Sequence, residues 1–421
     1  MRSRSLVLLL IGCTIAAACG DDEGGSSATQ GSTAEPFVEL VVERPAPESP
    51  DVDGLVAGIN AVGYDLFAYS AGQSDGDVVL SPASIGIAFG MADAGASGTT
   101  AAVIEELFGY PVAGEARWAA FNAIEQQVTD VGEPVVRLAN REFPDREFAA
   151  ASGYDETLAR WFGAAIEPLP LKADSEGSTA RINGWVSKET EGLIPALLPP
   201  GFVNPSSVMV LVNALYLEAD WARPFGKYPT EDQPFTRIDG STVSTPLMHE
   251  LELNGPAIDG NDYAATEVLY EGGELSMLVI VPDEGRYADV EGRLASGLVD
   301  EIDERSVSGP AELWLPRFES DTNFDLRDAI ESGLGVEGIF GVAGFDGIAP
   351  GITLGSAVHA ADIAVDENGT VAAAATALGF EESGPPEPDI VVRADKPFLY
   401  VIRHLPTGAV LFVGRVLDPA A

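Results

Sequence analysis

The chain is poor in cysteine, histidine and lysine. Of its 421 residues only Cys13 and Cys19 are cysteines, and both lie at the extreme N-terminus. The rest of the chain has no disulfide on which to rest its stability, even in an oxidising compartment. The histidines, His249, His359 and His404, stand far apart with no cysteine beside them, so the spacing of a zinc site is absent. Basic residues number 23 against 66 acidic ones, a net charge of −43. That imbalance argues against nucleic acid and anionic lipid surfaces as electrostatic partners. Lysine occurs only at Lys172, Lys188, Lys227 and Lys396, so most positive charge is arginine. A Gly-x-Ser-x-Gly nucleophile elbow and a phosphate-binding loop are both missing. Asp321 to Asp325 starts like a calcium loop but lacks the glycine at position six and the glutamate at twelve. The residues therefore point away from an enzyme, a metal site or a cofactor.

What is present begins with an export segment. Met1 to Arg4 carries positive charge, and Leu6 to Ile15 is an apolar run too short to span a bilayer. Ala16-Ala17-Ala18-Cys19 follows, which resembles a bacterial lipoprotein signal cut before Cys19, with lipid on its sulfur. Cleavage at Cys13 would leave an unusually short signal, and an ordinary secretory cut nearby is the alternative. The expected product is an exported protein anchored to a membrane only through that lipid, facing the periplasm or extracellular space. Residues 19–50 are rich in Gly, Ser, Glu and Pro and read as a flexible acidic tether. A globular domain is expected from about Asp51, and 46% hydrophobic residues suffice for a large core.

Within that domain Leu55, Ile59, Val62, Leu66 and Tyr69 recur at helical spacing. Val78 to Leu80 leads into Ser81-Pro82-Ala83-Ser84, where serine can cap a helix and proline sits early in it. Val135 to Phe143 reads as a strand, and Tyr154 to Phe162 and Ala180 to Thr190 as helices. Val208 to Leu217 is an almost continuous apolar run, the pattern of a strand covered on both faces, and it holds Asn213, whose amide then needs partners. Leu275 to Pro282 reads as a further strand. No internal repeat is evident.

The stretch from Glu367 to Ala377 stands apart. Gly369 offers backbone freedom, and Thr370, Val371, Ala372, Ala373, Ala374, Ala375, Thr376 and Ala377 are all small or β-branched. Such residues suit a short surface helix or a linker. They equally suit a hinge whose followers slide between two strands. Beyond it, residues 394–419 close the chain with two apolar runs around Thr407-Gly408.

Residues 356–370 and 394–419 together resemble the C-terminal pattern of the serpins, the serine protease inhibitors. Val212-Asn213-Ala214-Leu215-Tyr216 through Trp221 to Pro224-Phe225 is similar to the family's strand motif, with Ala219 in place of a common glycine. Ile182-Asn183-Gly184-Trp185-Val186 and the Ser81–Ser84 segment also match, so the resemblance runs from about residue 55 to 419. It implies an α+β serpin fold over 51–421: a large central β-sheet, additional sheets, about eight or nine helices and an exposed reactive loop. It implies a monomeric suicide substrate for serine proteases. The loop is cut, the acyl-enzyme is trapped, and the loop inserts into the sheet. Glu367, Gly369, Thr370, Ala372 to Ala375 and Thr376 would form the hinge, with Thr370, Ala372, Ala374, Thr376 and the larger Leu378 facing the core. Ser81, Ser84, Asn213, Trp221 and His359 would govern sheet opening, with His359 bonded to Asn213. Val371 stands where many inhibitory members have glutamate. The alternatives are a non-inhibitory serpin with a binding or chaperone-like role, and a surface lipoprotein scaffold without a protease target.

The usual serpin interval of sixteen residues from Glu367 lands on Ser383, which places the reactive bond at Ser383-Gly384. Ser383 suits an elastase- or subtilisin-like pocket. Glu382 would instead recruit a glutamate-specific protease, and Phe380 a chymotrypsin-like one. No Lys or Arg occurs between Glu367 and Val392, so trypsin-like targets are not expected. Mass spectrometry of the C-terminal peptide released by an inhibited protease should find Gly384 at its start; a peptide starting at Glu381 or Glu387 overturns the assignment.

Overall fold

Helical periodicity becomes α1 (Val52–Gln73), which buries Leu55, Ile59, Val62 and Leu66 on one side. After β1 (Val78–Leu80) the backbone turns into α2 (Pro82–Asp93). Ser81 caps α2, its Oγ accepting from the Ser84 N–H at 3.2 Å, and Pro82 fills the first turn, where no N–H is needed. The structure is a computed structural model that describes residues 42–47, 51–132, 134–151, 153–370 and 388–420.

The chain continues through α3 (Gly98–Phe108), α4 (Glu115–Thr129), β2 (Val135–Pro144), α5 (Tyr154–Phe162), β3 (Ala165–Ile166) and α6 (Ser175–Glu189). Asp174 caps α6 by accepting from the Gly177 N–H at 2.9 Å, five residues ahead of the start expected from periodicity. Next come β4 (Met209–Asp220), β5 (Glu231–Thr236), β6 (Thr242–Asp259), β7 (Tyr263–Leu269) and β8 (Leu275–Pro282). Short helices α7 (Tyr287–Glu291) and α8 (Leu298–Arg305) lead to β9 (Val307–Pro316) and β10 (Phe318–Asp325). A single turn, α9 (Leu326–Asp328), precedes β11 (Val358–Val365), β12 (Gly369–Thr370), β13 (Ile390–Arg393), β14 (Phe398–His404) and β15 (Ala409–Val416).

The strands form two sheets. One has nine strands in the order β1-β15-β14-β8-β7-β6-β9-β13, with β5 paired to β6. The other has six, in the order β10-β11-β12-β4-β2-β3. The run Leu313–Phe318 is divided between the two sheets. It ends β9 in the first sheet and begins β10 in the second, with the break at Arg317. An apolar run reports burial but not which sheet does the burying.

The six-stranded sheet is covered on both faces. On one side Val210, Val212 and Phe143 meet Ile182, Trp185 and Val186 of α6 in a core of their own. On the other, Leu215, Leu217 and Ala219 join the main core with α2 and β15. The β14–β15 hairpin is buried along its whole length.

Two glycines of α1 differ in what surrounds them. A Cβ on Gly58 would lie 1.8 Å from the Phe108 carbonyl oxygen, whereas one on Gly72 would meet nothing within 4 Å. Gly72→Ala should raise the thermal midpoint, by the roughly 0.5–1 kcal/mol that alanine gains over glycine in a helix. Gly58→Ala should lower it, because α1 must move off α3. Paired thermal melts check both signs.

Candidate functional site

The predicted residues gather in two clusters along one strand pair, β4 and β11. Those strands share no ladder of their own among the described residues; β12 stands between them. Gly369 and Thr370 pair with Asp220 and Ala219 of β4, and Thr370 also pairs with Val365 of β11. The small-residue stretch thus begins as a strand wedged into the top of the sheet.

Asp366 to Gly369 form the turn that feeds the wedge. The Asp366 carboxylate accepts from the Asn368 N–H at 2.7 Å, and its own N–H donates to the Gly369 carbonyl at 3.0 Å. Gly369 is needed here for close approach rather than for a left-handed φ. A Cβ on it would lie 2.0 Å from the Ala219 carbonyl oxygen. Trp221 clamps the turn: its ring N–H donates to the Asp366 carbonyl at 2.9 Å and its backbone N–H to the Asn368 carbonyl at 2.6 Å. Its indole stacks on Tyr270, with ring centroids 4.4 Å apart. The Tyr270 hydroxyl in turn shares a 2.6 Å hydrogen bond with the Thr370 hydroxyl. Thr370 is 1% exposed and points into the core.

Glu367 faces outward. Burial raises its carboxyl's proton affinity, but hydrogen bonds from Arg317 and Thr230 outweigh that and hold it below the usual range. The Arg317 Nη2 lies 2.6 Å from Glu367 Oε1. Tyr270, Arg317, Thr230 and Asp366 were not read from the sequence. Tyr270, Arg317 and Thr230 meet partners tens of residues or more away along the chain, and Asp366 meets Trp221 across the same distance while its carboxylate closes a local turn.

The second cluster lies six residues lower on each strand, roughly 20 Å at the usual strand rise. His359 on β11 is 4% exposed, and its Nε2 accepts from the Ser81 N–H at 3.0 Å. Asn213 on β4 accepts from the Ser84 hydroxyl and donates from Nδ2 to Asn140 Oδ1 at 2.7 Å. The expected bond between His359 and Asn213 is not formed. A cavity of about 280 Å³ opens where the strands part, lined by Met209–Ala214, Val358–Ala360 and residues of α2 and α6. Each side chain has found a partner on α2 instead. Met209, Leu211 and Asn213 are consequently only half-buried. Ala372, Ala373, Ala374, Ala375, Thr376, Phe380, Glu382, Ser383, Gly384 and Cys19 lie outside the described residues.

A two-residue strand, β12, thus sits between β4 and β11 at one end, with an open slot between the same strands at the other. The chain belongs to the serpin family: the family profile, serpin (serine protease inhibitor), matches residues 57–419. It is 32% identical over 372 residues to a serpin-like protein of Thermococcus kodakarensis, covering 87% of this chain and 86% of the relative. It is 31% identical over 371 residues to leukocyte elastase inhibitor A of Rattus norvegicus, covering 83% and 95%. Among solved structures it is similar to Arabidopsis AtSerpin1 in a native stressed conformation (TM-score 0.75, 25% identity, 89% and 100% covered). It is also similar in fold to human thyroxine-binding globulin complexed with thyroxine (TM-score 0.78, 22% identity, 88% and 100% covered).

Burial lowers the His359 imidazole to about 3, so it is neutral and able to accept from Ser81 at any physiological pH. The unfolded chain binds that proton near the ordinary histidine value of about 6.5. Above that value the imidazole is neutral in both states and contributes nothing; below it the unfolded state takes the proton and the native state loses stability. At pH 5 the loss is about 2 kcal/mol. Glu142 and Glu125 act in the opposite sense, since burial raises them to about 8 and about 7. Between pH 7 and pH 5 the midpoint of His359→Gln should therefore shift upward relative to that of the parent protein. Equal pH profiles would show that His359 takes no part.

Proposed function

We propose that this protein inhibits serine proteases as a suicide substrate. Thr370 carries the reading: it is already seated between β4 and β11, above an empty slot in the same strand pair. The residues that would follow it, Val371 to Ala377, are small enough to enter. A serine protease attacks the carbonyl of Ser383, its hydroxyl losing a proton to the protease histidine, and the peptide bond to Gly384 breaks to leave an ester. The freed hinge side then extends β12 downward. Thr370 faces the core, so Ala372, Ala374 and Thr376 would follow on that face and Val371 would face α6. Each added ladder bond contributes about 1 kcal/mol, and roughly a dozen of them outweigh the distortion of the tethered protease. The native state persists because the uncut loop cannot reach this arrangement, a kinetic rather than an equilibrium stability.

The same reading makes the mature protein a monomer, exported and tethered by lipid on Cys19 as residues 19–50 followed by one serpin domain. Its targets are elastase-, subtilisin- or chymotrypsin-like. Incubation with a protease panel on denaturing gels tests it: a covalent band at the summed mass is expected. Loop cleavage without that band, and without a rise in the thermal midpoint, would identify a non-inhibitory serpin instead.

Thr370→Arg should turn the inhibitor into a substrate. The arginine would replace a side chain that is 1% exposed and hydrogen-bonded to Tyr270. Burying that charge without a partner costs on the order of 3–5 kcal/mol. Insertion stalls, the ester hydrolyses, and active protease is released. One-to-one trapping by this variant would mean that the seat of Thr370 is not on the insertion path.

A further inference from the structure

Residues 42–47 come from the stretch expected to be a free tether, yet they lie along α4. Arg44 donates from Nη1 to Glu125 Oε1 at 3.0 Å, from Nε to Asn122 Oδ1 at 3.1 Å and from Nη2 to the Trp161 carbonyl at 3.3 Å. The helix answers: Asn122 and Gln126 donate to the Pro45 carbonyl at 3.2 and 3.0 Å, and Gln127 donates to that of Pro47 at 3.0 Å. Each of these bonds that hold the six-residue strip has a side chain as its donor.

Glu125 connects this strip to the interior. It is 5% exposed, and its second oxygen accepts from Asn140 Nδ2 at 3.1 Å. Asn140, on β2, accepts in turn from Asn213 on β4 at 2.7 Å. Asn213 accepts from the Ser84 hydroxyl, the Ser84 N–H donates to Ser81 Oγ, and the Ser81 N–H donates to His359 on β11. An unbroken run of hydrogen bonds therefore joins the strip to both strands that border the slot. The amides align in one direction. Ser84 donates to Asn213, Asn213 to Asn140, and Asn140 to Glu125. The alignment ends on the Glu125 carboxyl, which when ionised accepts from Arg44 at one oxygen and from Asn140 at the other with no competing O–H. Burial raises the carboxyl, to about 7 with Arg44 beside it, and Arg44 opposes that rise by favouring the ionised form. Without Arg44, the buried carboxylate is uncompensated or takes a proton and becomes a donor, and the amides behind it lose their common orientation.

We propose that residues 42–47 are a regulatory strap: docked through Arg44 on Glu125, it restrains the parting of β4 and β11, and its release eases sheet opening. The regulatory meaning rests on the loop-insertion reading above; the coupling itself does not.

The test is amide hydrogen exchange, followed by mass spectrometry, on the full mature chain. Arg44→Ala should speed exchange about tenfold in residues 81–86 and 208–217, beyond any change in 42–47 and α4. Arg44→Ala with Glu125→Gln should recover most of the protection, since a neutral amide needs no cation. Arg44→Lys, which keeps the charge, should give an intermediate rate and serves if the alanine variant does not fold. Faster exchange confined to 42–47 and α4, or a double variant no better protected than the single one, overturns the strap. Melting of loop-nicked parent protein reports separately on insertion. An unchanged midpoint there, with exchange still responding to Arg44, would remove the inhibitor reading and leave the coupling standing.

Discussion

Two residues hold the six-stranded sheet in its present form. Gly369 and Thr370 fill the gap between β4 and β11 at one end and leave it open at the other. The wedge tolerates only glycine at its first position, because the Ala219 carbonyl lies where a Cβ would be. It tolerates a small inward side chain at the second, because Tyr270 and the Trp221 stack close the space beneath. Everything at the breach serves this seat: the Asp366 turn, the Trp221 clamp and the Arg317–Glu367 pair outside.

The open end is stabilised differently. An apolar slot between two unpaired strand edges would leave backbone and side-chain polar groups without partners, which native proteins avoid. Here α2 supplies them. Ser81 and Ser84 satisfy His359 and Asn213 separately, so the two strands need not satisfy each other. Ser81 also caps α2 by accepting from the Ser84 N–H, so one pair of residues has both a local and a tertiary role.

Charge is distributed with the same economy. A chain with 66 acidic and 23 basic residues cannot pair most of its carboxylates, so arginines at buried positions matter singly. Arg403 holds Glu267 and Asp303, Arg117 holds Asp93, and Arg44 holds Glu125. Glu142 has no such partner among the described residues. Burial raises it to about 8, and it stays protonated at neutral pH rather than carrying an unpaired charge into the core.

Much of this was legible in the residues alone. The α1 periodicity, the Ser81-Pro82 start of α2 and the span of α5 arise from local spacing and capping, and β2, β4 and β8 also read as strands, though they pair with distant ones. The serpin motifs around Asn213 and Trp221 pointed to the two clusters. The sequence could not divide Leu313–Phe318 between two sheets, because hydrophobicity records burial and not the identity of the neighbour. Nor could it pair Glu367 with Arg317, Thr370 with Tyr270, or His359 with Ser81 rather than Asn213. The tertiary structure decided those pairings, since each depends on how far β4 and β11 stand apart. That separation is set by packing between elements hundreds of residues apart along the chain, and no local pattern records it.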